Sequence, residues 1–149
     1  MSRAEPYDDL IMDHIRNARN HRVLDHADLK STGSNPLCGD EVTVYLRIER
    51  SRIEDIAFQC SCCGISMASA SIMTDLIKGR DAGESRNLLR GFMALLDGRA
   101  EPGWGAFPRE QQAIYKTARK FPARRGCAAL PWATLEAALN GRQEAVMVR

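Results

Sequence analysis

The clearest pattern of apolar and polar residues lies in the middle of the chain, where the two kinds alternate. The apolar residues there occupy every second position: Val42, Val44, Leu46 and Ile48. Because successive side chains of a strand point to opposite faces, this alternation predicts a half-buried β-strand. A turn at Glu49 to Arg52 and a second apolar stretch from Ile53 to Phe58 then predict an antiparallel hairpin.

Apolar residues at helical spacing account for most of the remaining chain. Proline is tolerated only in the first turn of a helix, so Pro131 is expected to lie near the start of the last one. The predicted helices run from Tyr7 to Ala18, from near Cys63 to Lys78-Gly79, from Ser85 to Leu96, from Pro108 to about Lys120, and from between Ala128 and Pro131 to near Leu139.

Length and charge limit what the chain is expected to do. Its 149 residues suit one domain, with residues 141–149 expected to form a flexible tail. The net charge of +2, from 21 basic and 19 acidic residues, gives no indication of nucleic-acid binding. Since the chain lacks both a signal segment and an apolar run of about 20 residues, we expect a cytoplasmic protein that does not enter a membrane.

Candidate chemistry is concentrated in the cysteines. Five cysteines in a reducing compartment indicate metal ligands or reactive thiols rather than disulfides. In the stretch Asn35-Pro36-Leu37-Cys38-Gly39-Asp40, a thiolate and a carboxylate stand two residues apart and can point at one metal ion. Cys63 and Cys127 would complete a set of three thiolates and one carboxylate, which suits zinc or an iron–sulfur cluster. The alternative for the Pro-Gly-Asp stretch is an ordinary tight turn.

Three of the thiols fall within four residues, at Cys60, Cys62 and Cys63. Cys63 stands where a strand passes into a helix, and a helix N-terminus favours the thiolate. Cys60 and Cys62 have two open interpretations, an additional metal or sulfur acceptor and small residues that end a strand. Under oxidation, the adjacent Cys62 and Cys63 could form a disulfide. His14, on the apolar face of the first helix, is expected to be a packed, hydrogen-bonded side chain rather than a ligand.

Three separated motifs occur in the chain. They are Asn35-Pro36-x-Cys38-Gly39-Asp40, Cys63 followed by Ile65-Ser66-Met67-Ala68-Ser69-Ala70-Ser71, and Arg124-x-x-Cys127 followed by Ala128-x-Leu130-x-Trp132. In this order they resemble the motifs of the iron–sulfur cluster assembly proteins of the IscU/NifU/SufU type. The resemblance extends from about Tyr7 to Leu139 and is greatest to the SufU branch. Gly126 stands where the IscU branch has a histidine ligand, and Cys127 follows Cys63 at a longer spacing than in that branch.

This resemblance implies a fold and a ligand set. The fold is α+β, a small three-stranded antiparallel sheet packed by about five helices, as in SufE- and NifU-like proteins. Its first strand must come from the residues around Asp28 to Ser34, where periodicity indicates no strand. The implied metal ligands are Cys38, Asp40, Cys63 and Cys127.

The resemblance also implies a role in iron–sulfur cluster biogenesis. In the SufU branch, a zinc-dependent sulfurtransferase accepts persulfide sulfur from a SufS-type cysteine desulfurase and serves downstream iron–sulfur assembly proteins. Cys38 is then the sulfur acceptor. Arg124 is a candidate partner of Asp40, and the alternative for this arginine is a solvated surface charge. One alternative is a scaffold that assembles a [2Fe–2S] cluster at the same site, and another is a purely structural zinc module. A monomer or a weak homodimer is expected.

Overall fold

Three antiparallel strands form one sheet in the order β1–β2–β3 in the computed structural model, which describes residues 7–37, 39–98 and 107–143. The strands are β1 (Leu29–Asn35), β2 (Asp40–Glu49) and β3 (Arg52–Ser61). The hairpin predicted from alternation is therefore confirmed, and so is the first strand implied by the family resemblance. Since Asn35 pairs with Asp40 and Glu41 pairs with Ser61, the β1–β2 turn and the end of β3 lie at the same end of the sheet.

The sheet buries apolar side chains on both faces. Val42, Val44 and Leu46 contribute to the main core, together with residues of all five helices. On the other face, Tyr45 and Ala57 form a small cluster with Leu24. Leu24 belongs to the segment between α1 and β1, which covers this face. Three consecutive residues of β2, Val44, Tyr45 and Leu46, are therefore buried, whereas a sheet with one solvated face would bury only every second residue.

Five α-helices surround the sheet, and the predicted α+β class is confirmed. Asp8 caps the first of them, since its Oδ1 accepts the Ile11 N–H at 2.9 Å. No helix of the described ranges is both long and apolar enough to span a membrane. The helices are α1 (Asp9–Arg16), α2 (Gly64–Ile77), α3 (Ala82–Leu96), α4 (Arg109–Lys120) and α5 (Arg125–Leu139), with a 3-10 turn at Pro122–Arg124 before α5.

The predicted start of the last helix is wrong. The helix begins at Arg125 rather than between Ala128 and Pro131, and it contains Pro131 in its interior. An interior proline has no N–H for the carbonyl four residues earlier, which here belongs to Cys127. The Ser66 hydroxyl of α2 lies 2.9 Å from that carbonyl oxygen and donates to it instead. A hydrogen bond between two helices therefore replaces the one that Pro131 cannot make to the Cys127 carbonyl.

Helix α2 is buried on nearly all sides, and its small polar residues carry the contacts with its neighbours. Ser69 donates to Ala128 O of α5 at 2.6 Å and accepts the indole N–H of Trp132 at 2.9 Å. Ser71 lies 2.7 Å from Nδ1 of His14 in α1. The small side chains let the helices approach closely, and their hydroxyls satisfy polar groups that burial would otherwise leave unpaired.

His14 is a packed core residue, as predicted, with 3% of its surface exposed. Its Nδ1 contacts Ser71 Oγ, which also accepts the backbone N–H of Arg19 at 2.8 Å. Burial lowers the pKa of His14, and electrostatic repulsion from Arg19 lowers it further.

The expected flexible tail falls partly on residues 144–149, which lie outside the described residues. Within the described part, Gln143 O accepts the Thr32 N–H at 2.9 Å.

Candidate metal centre

Asp40 is positioned by the turn between β1 and β2. Asn35 begins this turn, its side-chain oxygen accepting the Leu37 N–H at 3.1 Å and its carbonyl accepting the Gly39 N–H at 2.8 Å. Gly39 has φ of +74°, a conformation that favours glycine. The chain then enters β2 at Asp40, whose side chain is buried. Cys38, the predicted sulfur acceptor in this turn, lies outside the described residues.

Cys63 is the N-cap residue of α2, which confirms its predicted position at a strand-to-helix junction. Its backbone N–H donates to Asp40 Oδ1 at 2.9 Å. The carboxylate thus takes up one of the free N–H groups at the helix start, where the helix dipole also favours negative charge. This bond fixes the acidic side chain beside the Cys63 thiol.

Cys127 lies in the first turn of α5 and is almost completely buried, with 1% of its surface exposed. Two helix N-termini, those of α2 and α5, therefore present cysteines to the same point. Both helices place the positive ends of their dipoles there. The local charge suits a site that holds anionic ligands.

The ligand atoms of Asp40, Cys63 and Cys127 all lie within 4.8 Å of one another. Ligands bound tetrahedrally to zinc, with Zn–S distances of about 2.3 Å, lie roughly 4 Å apart. These residues therefore fit a zinc ion with little movement, and two thiolates with one carboxylate leave a fourth position for another ligand. The structure brings together three of the four predicted ligands, while the contribution of Cys38 stays a prediction.

Ser66 is a part of this centre to which sequence reasoning assigned no role. Its hydroxyl is fully buried and lies 2.8 Å from Asp40 Oδ2 and 2.9 Å from Cys127 O. The Cys63 Sγ lies 3.8 Å from the same hydroxyl. One side chain, a single turn into α2, therefore orients the carboxylate and holds the backbone of a second ligand residue. The one indication of this role in the sequence is that Ser66 stands three residues after Cys63, in the first turn of a helix.

Replacing Ser66 with alanine is expected to weaken zinc binding about 10- to 100-fold, the usual cost of removing a group that orients a metal ligand. The reason is that the single hydroxyl hydrogen of Ser66, which Asp40 Oδ2 and Cys127 O share, would be lost. Competition with a zinc-binding dye measures the affinity.

Ser69→Ala is the matched control, because Ser69 is equally buried in α2 and its hydroxyl bonds Ala128 and Trp132 of α5 rather than Asp40. It should lower the free energy of unfolding by about 1 to 3 kcal/mol while leaving zinc affinity nearly unchanged. Equal zinc affinities for the two variants would contradict the role given to Ser66.

Arg124 lies next to the thiols, on the 3-10 turn that precedes α5. Electrostatic attraction to Cys63 is the largest cause that raises the pKa of its guanidinium, attraction to Tyr7 comes next, and a hydrogen bond to Cys127 contributes as well. The permanently charged side chain can therefore stabilise thiolates at the site. Its predicted pairing with Asp40 stays a prediction.

Cys60 and Cys62 are joined to each other by a disulfide, with their Cα atoms 5.4 Å apart. The expectation that the cysteines are ligands or thiols rather than disulfides is therefore wrong for this pair. The bond that could have formed between Cys62 and Cys63 under oxidation is not present, and Cys63 carries a free thiol. Cys60 is the penultimate residue of β3 and Cys62 follows the strand end, so the chain bends between them and brings the two residues together. None of the three histidines, all of which the structure describes, belongs to the metal cluster.

The sequence matches a family model described as NifU-like N terminal domain over residues 6–128. It is 35% identical over 130 residues to the zinc-dependent sulfurtransferase SufU of Bacillus subtilis (strain 168), covering 87% of this chain and 86% of that protein. It is also 31% identical over 131 residues to the iron–sulfur cluster assembly scaffold protein IscU of Streptococcus pyogenes serotype M1, covering 88% of this chain and 80% of the relative.

A solved structure shows the same fold. The crystal structure of FiSufU, a SUF-system protein of Fervidobacterium islandicum AW-1, superposes with a TM-score of 0.82 at 30% identity. The match covers 90% of this chain and 96% of that one. The arrangement of sheet and helices is therefore shared along almost the entire length of both chains.

Proposed function

Because the chain belongs to the NifU-like N-terminal domain family, we propose that it is a zinc-dependent sulfur-transfer protein of iron–sulfur cluster biogenesis. It accepts persulfide sulfur from a SufS-type cysteine desulfurase. The observation that carries this proposal is the cluster of Asp40, Cys63 and Cys127, which fits zinc and contains a carboxylate. Similarity to a zinc-dependent sulfurtransferase over most of both chains supports it.

The carboxylate distinguishes this centre from a purely structural zinc site. Structural sites are mostly closed sets of cysteine and histidine, in which every position is a strong protein ligand. Asp40 is a harder and weaker zinc ligand than a thiolate. Its two oxygens are held by the Cys63 N–H and the Ser66 hydroxyl, so its position does not depend on the metal alone. Such a site can exchange a ligand without losing its shape.

Cys38 is the proposed acceptor. Its thiolate attacks the terminal sulfur of the desulfurase persulfide, a new S–S bond forms on Cys38, and the desulfurase cysteine leaves as a thiolate. Zinc, when bound, supplies a positive charge that holds the thiolates ionised but unreactive. Arg124, beside Cys63 and Cys127, adds a second positive charge that can stabilise a thiolate when it is not on the metal.

A Cys38→Ala variant tests this function. We expect it to fold, to keep zinc on the remaining ligands with reduced affinity, and to leave the rate of a SufS-type desulfurase at the value of the desulfurase alone. The measurement is alanine formed from cysteine, with and without the variant. Ser69→Ala is the control, because Ser69 is fully buried and does not belong to the metal cluster, and it should stimulate the desulfurase as the wild type does. Unchanged stimulation by Cys38→Ala would contradict the proposed acceptor.

The scaffold function is the second candidate, and it is favoured by similarity to IscU proteins. Metal and acid-labile sulfide in protein purified without oxygen separate the two. About one zinc per chain without sulfide or colour supports sulfur transfer. Iron and sulfide in equal amounts support a [2Fe–2S] scaffold that uses the same ligands.

A further inference from the structure

A second pair of sulfur atoms adjoins the metal centre. Cys60 pairs with Val42 inside the sheet, and Ser61, opposite Glu41, is the last residue of β3. Cys62 lies beyond the strand, one residue before Cys63. The two thiols are close enough to be joined, and their Cα separation of 5.4 Å is within the usual disulfide range of roughly 4.4 to 6.8 Å.

The positions of Cys60 and Cys62 in the fold allow the disulfide bond between them to form and to break. Cys60 is held by the sheet, whereas Cys62 stands in the two-residue link to α2. Both side chains are half-buried, unlike the almost completely buried Cys127, and so are within reach of another protein's thiol. Forming or breaking the bond need not disturb strand pairing, since the paired residues end at Ser61.

The link to α2 also connects the pair to the metal centre. Cys63 follows Cys62 directly, contributes a thiol to the centre and donates its N–H to Asp40. A dithiol at Cys60 and Cys62 therefore lies next to the place where the proposed function delivers sulfur. That sulfur arrives in the oxidation state of a persulfide, and two electrons per atom are needed to make sulfide.

We propose that Cys60 and Cys62 form an internal dithiol reductant that releases the accepted sulfur as sulfide, and that the disulfide in the structure is its oxidised form. This inference rests on the proposed sulfur-transfer function. The substrate is a persulfide on a cysteine of the metal centre. The product, sulfide, is the form of sulfur that iron–sulfur clusters contain.

The reaction proceeds in two exchange steps. The Cys62 thiolate attacks the inner sulfur of the persulfide, an S–S bond forms between Cys62 and the carrier cysteine, and sulfide leaves. The Cys60 thiolate then attacks Cys62, the Cys60–Cys62 disulfide forms, and the carrier thiolate is released. In total, one persulfide and two thiols give one thiol, one hydrogen sulfide and one disulfide. An external dithiol, from a protein or a small molecule, returns the pair to its reduced form.

The test is a single-turnover experiment without added reductant. Reduced, zinc-loaded protein is mixed with a cysteine desulfurase that carries its persulfide and has been freed of cysteine. Released sulfide is measured by the methylene blue reaction, and bound sulfur and disulfides are located by mass spectrometry. We expect the wild type to release about one sulfide per chain, in step with oxidation of Cys60 and Cys62. The double variant C60S/C62S should keep the sulfur as a protein persulfide and release at least about tenfold less.

Single variants test the order of attack, and their zinc content shows that they are folded. C62S should release no more sulfide than the double variant. C60S should release sulfide and then remain trapped, with Cys62 in a mixed disulfide to the carrier cysteine.

Equal sulfide release by wild type and C60S/C62S would overturn the inference and leave sulfur transfer intact. A wild type that holds the persulfide while Cys60 and Cys62 stay reduced would do the same. If neither protein takes sulfur from the desulfurase, the proposed function and this inference both fail.

Discussion

Replacing Cys127 with serine is expected to abolish stoichiometric zinc binding. The side chain is almost completely buried within 4.8 Å of the ligand atoms of Asp40 and Cys63, so no solvent ligand can take its place without rearrangement. Thiolates, which serine does not supply, are the strong zinc ligands of the set. We expect the loss of one buried thiolate ligand to cost at least about 3 kcal/mol, which is at least about a hundredfold in affinity.

Metal analysis and thermal unfolding measure this result together. Since a bound ion stabilises only the folded state, the wild type should lose thermal stability on chelation, and Cys127→Ser should melt at the temperature of the chelated wild type. Cys60→Ser is the matched control, because Cys60 lies close by in sequence to Cys63 but outside the metal cluster. It should keep about one zinc per chain. Full zinc occupancy of Cys127→Ser would show that the metal lies elsewhere.

Replacing Trp132 with alanine is expected to lower the free energy of unfolding by about 3 to 5 kcal/mol. The indole is the largest fully buried side chain among the described residues, and it packs against the Phe92 ring with 4.8 Å between ring centroids. Its N–H donates to Ser69 Oγ at 2.9 Å, so the ring also joins α5 to α2. Truncation would leave a cavity between the two helices that carry Cys63 and Cys127.

Urea unfolding monitored by circular dichroism measures the loss. Trp132→Phe separates the contribution of the ring volume from that of the N–H, because phenylalanine keeps most of the volume but not the N–H. This variant should lower the free energy of unfolding clearly less than Trp132→Ala does. Val23→Ala, at a side chain that is 51% exposed, should stay within about 0.5 kcal/mol of the wild type. A similar small effect at Trp132 would show that α5 does not depend on this contact.

The local sequence pattern was sufficient to predict an element where the buried residues follow the periodicity of that strand or helix. The alternation from Val42 to Ile48 predicted β2, and the strand-to-helix junction at Cys63 was correct to the residue. Strand β1 has no such pattern, since its residues are mostly small and polar, and only the family resemblance indicated it. The start of α5 was wrong because local rules exclude an interior proline, whereas Ser66 of α2 supplies the missing donor.

The sequence by itself determined the chemical nature of the centre: cysteine and aspartate ligands placed beside a turn and near helix starts, in the order typical of one family. The tertiary structure decided how they are held. Ser66 is 26 residues from Asp40 and 61 from Cys127, and its hydroxyl reaches both. It also decided that Cys60 pairs with Cys62 rather than Cys62 with Cys63, and that Arg124 lies beside Cys63 and Cys127. The physical reason is that ligand identity is a property of single residues, whereas hydrogen bonds and charge interactions depend on which distant segments packing brings together.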